Sequence, residues 1–227
     1  MRVALDTSTR VQSVALETPD GAVVARAYEA PQHSRALVGS IRGLLEEHGA
    51  GWGDVTAYVV GLGPGSFTGL RVGLALVKGL SAVHGTPGMG VCSLAAAAYG
   101  AAAPLAAVAY DAKKDLVYAG VFRTSGTGEA VVPVTAYAPE AFAEACGACE
   151  EPMECLGDGW TRYGERLGPG ASRAAAGTPC AGSLLRLSRA RGLEPTHTAT
   201  LEPRYVRRSE AEVNWERRHG TGSGNPV

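Results

Sequence analysis

The densest run of residues able to do chemistry is Gly63-Pro64-Gly65-Ser66-Phe67-Thr68-Gly69, a turn that leads into Leu70-Arg71-Val72-Gly73-Leu74-Ala75-Leu76-Val77-Lys78-Gly79-Leu80. A glycine-rich turn entering a helix can hold phosphate on backbone N–H groups. Here no Lys-Ser or Lys-Thr follows the second glycine, so the charged anchor of a phosphate loop is missing. The run also lacks the G-x-S-x-G pattern of a strained nucleophile turn. Ser66 or Thr68 fits better as the cap of the following helix. His33, His48, His84, His197 and His219 are scattered and form neither H-x-x-x-H nor H-E-x-x-H. Cys146-Gly-Ala-Cys149, with Cys155 nearby, is a C-x-x-C with no second pair and no neighbouring histidine. Reduced, incidental thiols are the reading that this spacing favours over zinc or redox chemistry.

Composition narrows the classes. The chain has 227 residues, 45% of them apolar, enough for one large domain or two small ones with a sizeable core. A net charge of −1 gives no bulk attraction for nucleic acid. The first residues, Met1-Arg2-Val3-Ala4-Leu5-Asp6, reach an acid at once, and no apolar run approaches the roughly 20 residues of a membrane span. A cytoplasmic protein without a membrane partner is expected.

The elements that must position these residues come in two similar sets. Residues 2–8, 11–17 and 22–28 alternate or run apolar, with Thr18-Pro19-Asp20-Gly21 as a turn, and predict an antiparallel meander. A helix is predicted from Gln32 to His48 on the stripe Leu37, Ile41, Leu44 and Leu45, and then a buried strand over 55–62. The glycine-bearing helix, a short strand at Met89 and an alanine helix capped by Ser93 follow. From Leu105 the order begins again: three strands, a helix opened by Pro139, a strand over 153–156, the turn Gly157-Asp158-Gly159 and further helix. A repeated βββαβα unit predicts an α/β fold of two lobes with a cleft between them. The lobes are placed at 1–103 and 104–210, and a polar, partly mobile tail at 211–227.

Gly63-Pro-Gly-Ser-Phe-Thr-Gly-Leu-Arg-Val-Gly73 resembles the signature of the TsaB (YeaZ) family, a subunit of the bacterial machinery that makes threonylcarbamoyladenosine in tRNA. Pro203-Arg-Tyr205-Val-Arg207 resembles that family's C-terminal Pro-x-Tyr-x-Arg pattern. The resemblance implies the actin/sugar-kinase/Hsp70-like (ASKHA) fold. Asp6-Thr7-Ser8 then falls at the first phosphate loop, Asp111 at the second, and Gly157 and Gly159 at the adenosine-side turn. The loops lack their usual glycines, so the site is degenerate. No cofactor is expected, and ATP or ADP would bind no tighter than roughly 0.1 mM. The catalytic paralogue, TsaD, carries a metal-binding His-x-x-x-His whose positions fall here at Ser93 and Ala97, so no catalytic residue and no metal are assigned. The resemblance implies a non-catalytic scaffold that pairs with TsaD. TsaE is expected to join, TsaC to supply the adenylate, and tRNA to be met only through the complex. The rival reading is an ATP-binding enzyme of the same fold, an ATPase or phosphotransferase. A metallopeptidase has no ligands in this sequence.

Association is expected from spacing. Gly39 and Gly43, then Gly69 and Gly73, stand four apart on helices that carry enough aliphatic bulk to cover a sheet besides. The expected interface comprises Leu37, Ile41, Gly65, Phe67, Gly69, Leu70, Gly73 and Leu74, with Arg71 and Lys78 at its rim, and it makes a homodimer when the chain is alone. Gly73→Leu is expected to abolish pairing and leave the chain folded. The basic cluster Arg204, Arg207, Arg208, Arg217 and Arg218 is expected to be a solvated tail.

Overall fold

The computed structural model describes residues 1–29, 34–168, 181–207 and Trp215. Most of the expected tail, with Arg208, Arg217 and Arg218, and the predicted helix start at Gln32 lie outside the described residues.

Alternation in the first thirty residues becomes three antiparallel strands: β1 (Arg2–Asp6), β2 (Val11–Glu17) and β3 (Val23–Glu29). The β2–β3 turn closes with the Gly21 N–H donating to the Thr18 carbonyl at 2.9 Å. Gly21 sits at φ 87, which suits glycine. α1 (Ser34–Glu47) leads to β4 (Ala57–Gly61), α2 (Phe67–His84) to β5 (Gly88–Val91), and α3 (Ser93–Ala98) ends this half. β4 pairs parallel to β1 and β5 parallel to β4, giving the order β3-β2-β1-β4-β5.

The second half repeats the plan one strand shorter. β6 (Leu105–Lys113), β7 (Leu116–Arg123) and β8 (Ala130–Tyr137) form the meander. After α4 (Pro139–Gly147), β9 (Met153–Leu156) pairs parallel to β6, for the order β8-β7-β6-β9. α5 (Asp158–Tyr163) and α6 (Ala181–Ala190) complete the described helices. Two sheets of one topology, a meander followed by parallel strands, make the expected ASKHA arrangement.

Three apolar layers hold it together. On the outer face of the first sheet, Leu5, Val14 and Leu16 meet Leu37, Ile41 and Leu44 of α1 and Leu74 and Val77 of α2. On the outer face of the second, Ala107, Ala119 and Val121 meet Phe142 and Trp160, whose indole N–H donates to the Ala107 carbonyl at 3.0 Å. Between the sheets, Ala4, Ala15, Ala57 and Ala106 are small enough for α3 and α6 to lie close. The lobes exchange helices there. α3, from the first half, packs on β6 and β7, while α6, from the second, packs on β1, β2 and β4. The α6 start is tied by the Ala181 N–H donating to Ser13 Oγ at 2.9 Å, and its end by Arg189 on Glu17, which also pairs with Arg2. The stretch 104–210 thus does not pack on the second sheet alone, because the apolar side of α6 completes the first.

Candidate functional site

At the end of β1, Asp6 is fully buried and its carboxylate is used up internally. Oδ1 accepts from the Ser8 N–H at 2.8 Å and from Ser8 Oγ at 2.5 Å, and Oδ2 accepts from Ser93 Oγ at 2.6 Å. Ser93 Oγ in turn accepts from the Gly63 N–H at 3.1 Å. Gly61 leaves the room for this, since a Cβ there would lie 1.9 Å from Asp6 Oδ2. Burial raises the Asp6 pKa above its ordinary value, against the Ser8 and Ser93 hydrogen bonds. Tyr110 above it is pushed well up by burial and by the Asp6 and Asp158 charges.

The start of α2 is moulded to this loop. Ser66 caps the helix, its Oγ accepting from the Gly69 N–H at 3.3 Å, and its own N–H donates to the Ser8 carbonyl at 2.7 Å. Thr7 Oγ1 donates to the Gly69 carbonyl at 2.7 Å. A Cβ on Gly65 would lie 2.3 Å from the Ser8 carbonyl oxygen, on Gly69 2.0 Å from that of Thr7, and on Gly73 2.3 Å from Thr7 Oγ1. The backbone that comes close to these glycines is the chain's own. Leu37, Ile41, Leu70 and Leu74 are likewise buried in the chain's own interior. The expected interface is corrected accordingly: Leu37, Ile41, Gly65, Leu70, Gly73 and Leu74 are buried, half-buried Gly69 is set against the chain's own Thr7 carbonyl, and a bulky side chain at Gly73 would break the fold. Arg71 and Lys78 are also engaged at home. Arg71 Nε donates to the Tyr205 hydroxyl at 3.0 Å, and Lys78 Nζ to the Ala199 carbonyl at 3.2 Å. Phe67 stacks on Tyr205 with ring centroids 3.9 Å apart.

The second lobe presents a matching strand end. Asp111 accepts from the Lys113 N–H at 2.8 Å and the Tyr163 hydroxyl at 2.9 Å, and it pairs with Lys113 Nζ at 2.6 Å and Arg162 Nε at 3.3 Å. Burial works to raise its pKa, but Lys113 and Tyr163 outweigh that and hold it below the ordinary value. Where a phosphate loop would turn on glycine, Lys113, Lys114 and Asp115 all take positive φ, at 62, 53 and 59. Gly157 and Gly159 answer to packing: a Cβ on either would lie 2.3 or 2.8 Å from the Ala109 carbonyl oxygen. Asp158 between them accepts from the Asp111 N–H at 3.0 Å.

The lobes enclose a cleft of about 560 Å³ whose walls bring Ser8, Asp111 and the first turn of α2 together. Asp6, Thr7, Gly157 and Gly159, expected at the site, do not line it. Sequence reasoning missed Arg10, Tyr110, Tyr118 and Asp158 on its walls, and the part that the C-terminal segment plays. Arg204 donates from its N–H to the Leu62 carbonyl at 2.7 Å and from Nη2 to that of Val134 at 3.5 Å, so it touches both lobes. Arg207 Nη1 donates to the Ala112 carbonyl at 2.7 Å. The Pro-x-Tyr-x-Arg pattern marked the segment, and nothing in its spacing marked its place. Cys146, Cys149 and Cys155 lie elsewhere, in the outer layer of the second sheet, and Cys92 stands at the N-cap of α3. Burial, with Cys155 and Cys149 nearby, pushes the Cys146 thiol up to about 12, and burial with Glu154 pushes Cys155 up to about 11. Among the described residues no group of three or more His, Cys, Asp or Glu side chains could hold a metal ion, and no helix is long and apolar enough to cross a membrane. Cys180 lies outside the described residues.

Residues 11–150 match the family model described as TsaD: tRNA N6-adenosine threonylcarbamoyltransferase. The crystal structure of an uncharacterized protein with similarity to peptidase YEAZ from Pseudomonas aeruginosa superposes with a TM-score of 0.79 at 32% identity, over 91% of this chain and 99% of that one. The chain belongs to the TsaB (YeaZ) branch of this family. YeaZ from Pseudomonas aeruginosa agrees, with a TM-score of 0.73 at 30% identity over 90% and 99%. The tRNA threonylcarbamoyladenosine biosynthesis protein TsaB of Haemophilus influenzae is 29% identical over 96% of this chain and 97% of its own length. TsaB of Escherichia coli is 34% identical over a shorter stretch, 56% of this chain and 58% of that protein. The TsaB relatives are thus biosynthesis proteins of tRNA threonylcarbamoyladenosine by name, and this chain shares its fold with the YeaZ structures.

Proposed function

We propose that this chain is a non-catalytic, cytoplasmic subunit that pairs with a TsaD-type transferase and holds it in a competent conformation while threonylcarbamoyl passes to tRNA adenosine. TsaE joins the assembly and TsaC supplies the adenylate. The observation that carries this reading is Ser93. It falls where the resemblance to TsaD places a metal-binding histidine, it is fully buried, and its hydroxyl is already spent on Asp6 and the Gly63 N–H. A serine hydroxyl so engaged, with Ala97 at the second position, offers none of the imidazole nitrogens that such a centre needs.

The partner-binding face in this reading stays on α1 and α2 but moves to their solvent side. Ala75, Gly79 and Ala82 are exposed there, Val83 is 76% exposed, and a Cβ on Gly39 or Gly79 would meet nothing within 4 Å. A second backbone can approach such positions closely. The same face makes a homodimer when TsaD is absent. Gly79→Arg tests it. The variant is expected to keep its circular dichroism spectrum and to lose co-purification with TsaD. Normal co-purification would place the interface elsewhere.

The second reading, an ATP-dependent ATPase or phosphotransferase, is favoured by the cleft volume, which lies in the range of small-molecule sites. Against it, both strand-end carboxylates are engaged by the chain's own side chains. Calorimetry with ATP separates the two, micromolar affinity with turnover supporting the enzyme.

A further inference from the structure

Seven described arginines, Arg2, Arg26, Arg42, Arg123, Arg162, Arg166 and Arg189, are ion-paired with carboxylates. Six described arginines have no such pair: Arg186, Arg191 and Arg204 lie elsewhere on hydroxyl or carbonyl oxygens, while Arg10, Arg71 and Arg207 line the cleft between the lobes. A guanidinium has five N–H donors. Arg71 gives one to Tyr205, Arg207 gives Nη1 to backbone carbonyls, and Arg10 has no protein partner among the described residues. Of the two carboxylates in the lining, Asp111 is neutralised by Lys113 and Arg162, and Asp158 is held by the Asp111 N–H. The first turn of the eighteen-residue α2 forms part of the same wall and adds the positive end of its dipole. In the lining the cations Arg10, Arg71, Lys113 and Arg207 outnumber the carboxylates Asp111 and Asp158. Beside it stands an aromatic surface. Tyr205 is 41% exposed, with Phe67 stacked on one face and Arg71 at 5.8 Å from its ring centre.

We propose that the mouth of this cleft binds the phosphate backbone of a single-stranded RNA segment through Arg10, Arg71 and Arg207, with a base packed against the exposed part of the Tyr205 ring. The proposal rests on the reading of the chain as part of a tRNA-modifying assembly, and goes beyond it by giving this chain a direct RNA contact. A strand suits the site better than a nucleotide on the cleft floor. The lining groups Ser8 and Asp111 are spent internally, while the free donors are carried on long arginine side chains. Guanidinium groups on phosphates and an aromatic ring under a base are the recurring means of holding single strands without reading sequence.

The test uses the purified full chain, alone and with TsaD, and fluorescence anisotropy of a labelled oligoadenylate of about twelve nucleotides, the length chosen to span one site. Three phosphate contacts give a slope of log affinity against log salt of about −2, and Arg10→Gln, which removes no hydrogen bond or ion pair among the described residues, is expected to reduce it to about −1.4. Tyr205→Leu is expected to weaken binding about fivefold or more. Absence of salt-dependent binding, or an unchanged slope in Arg10→Gln, overturns the proposal. ATP binding that depends on Arg10 and is not competed by the oligonucleotide also overturns it, in favour of a free-nucleotide site. Failure of the two readings is distinguishable. If TsaD still needs the chain while Arg10→Gln binds RNA like the parent, the RNA contact falls and the scaffold stands. If TsaD works without the chain while the slope falls as expected, the scaffold falls and the RNA contact stands.

Discussion

Asp6 and Asp111 end equivalent strands, yet their surroundings drive their acidities apart. Burial raises the Asp6 pKa above the ordinary 3.8. A raised pKa makes the group's contribution to stability present below the ordinary value and lost as pH rises through the folded value. Asp111 is the reverse: its pKa is lowered, so it contributes stability above 3.8 that is lost as pH falls through the folded value. Thermal unfolding of Asp6→Asn should therefore gain on the parent as pH rises from about 3 to about 7. Asp111→Asn should melt below the parent at neutral pH and converge with it under acid. Slow alkylation is expected of Cys146 and Cys155 in the native state, because thiols with pKa values of about 12 and about 11 hold little thiolate at neutral pH. Iodoacetamide labelling of native against denatured protein measures this. Both aspartates could be picked out in the sequence as acids closing apolar strands. Their internal partners could not, since Ser93 lies 87 residues from Asp6 and no local pattern joins them.

At the scale of elements, alternation and apolar runs made the strands legible, and the repeat of the βββαβα order made the two lobes legible. The glycines of α2 were legible as small positions and misread as to what fills them. Spacing tells that a backbone comes close, but whether it belongs to the same chain depends on where β1 ends in space. Two substitutions on one helix test the corrected reading. Gly73→Ala puts a Cβ 2.3 Å from Thr7 Oγ1, and an overpacked contact of this kind costs about 1–3 kcal/mol. Gly79→Ala meets nothing within 4 Å and should gain about 1 kcal/mol in helix propensity. In a chain of this size each kcal/mol moves the melting temperature by about 2–4 °C. The first variant should therefore melt lower than the parent and the second higher. If Gly73→Ala melts like the parent, Thr7 is not packed against α2 as described.

Across the whole molecule, residues 201–207 act as a strap. Arg204 joins Leu62 to Val134, Arg207 holds the β6–β7 turn, and Tyr205 lies on Phe67. A segment without periodicity gives sequence reading nothing to place, and so neither the strap nor the exchange of α3 and α6 between lobes was foreseen. Tyr205→Ala removes the stacked ring and the Arg71 hydrogen bond, and hydrogen–deuterium exchange should quicken at the β6–β7 turn and at Leu62 while the α6 core stays protected. Through Arg207 the strap also lines the cleft on which the RNA proposal acts. The most direct test of the scaffold reading is formation of threonylcarbamoyladenosine on a tRNA transcript by TsaD, TsaC and TsaE, with and without this chain. The expected result is modified nucleoside only when the chain is present with TsaD, and none when it replaces TsaD. Equal yield without the chain, or modification by the chain in place of TsaD, would contradict the account.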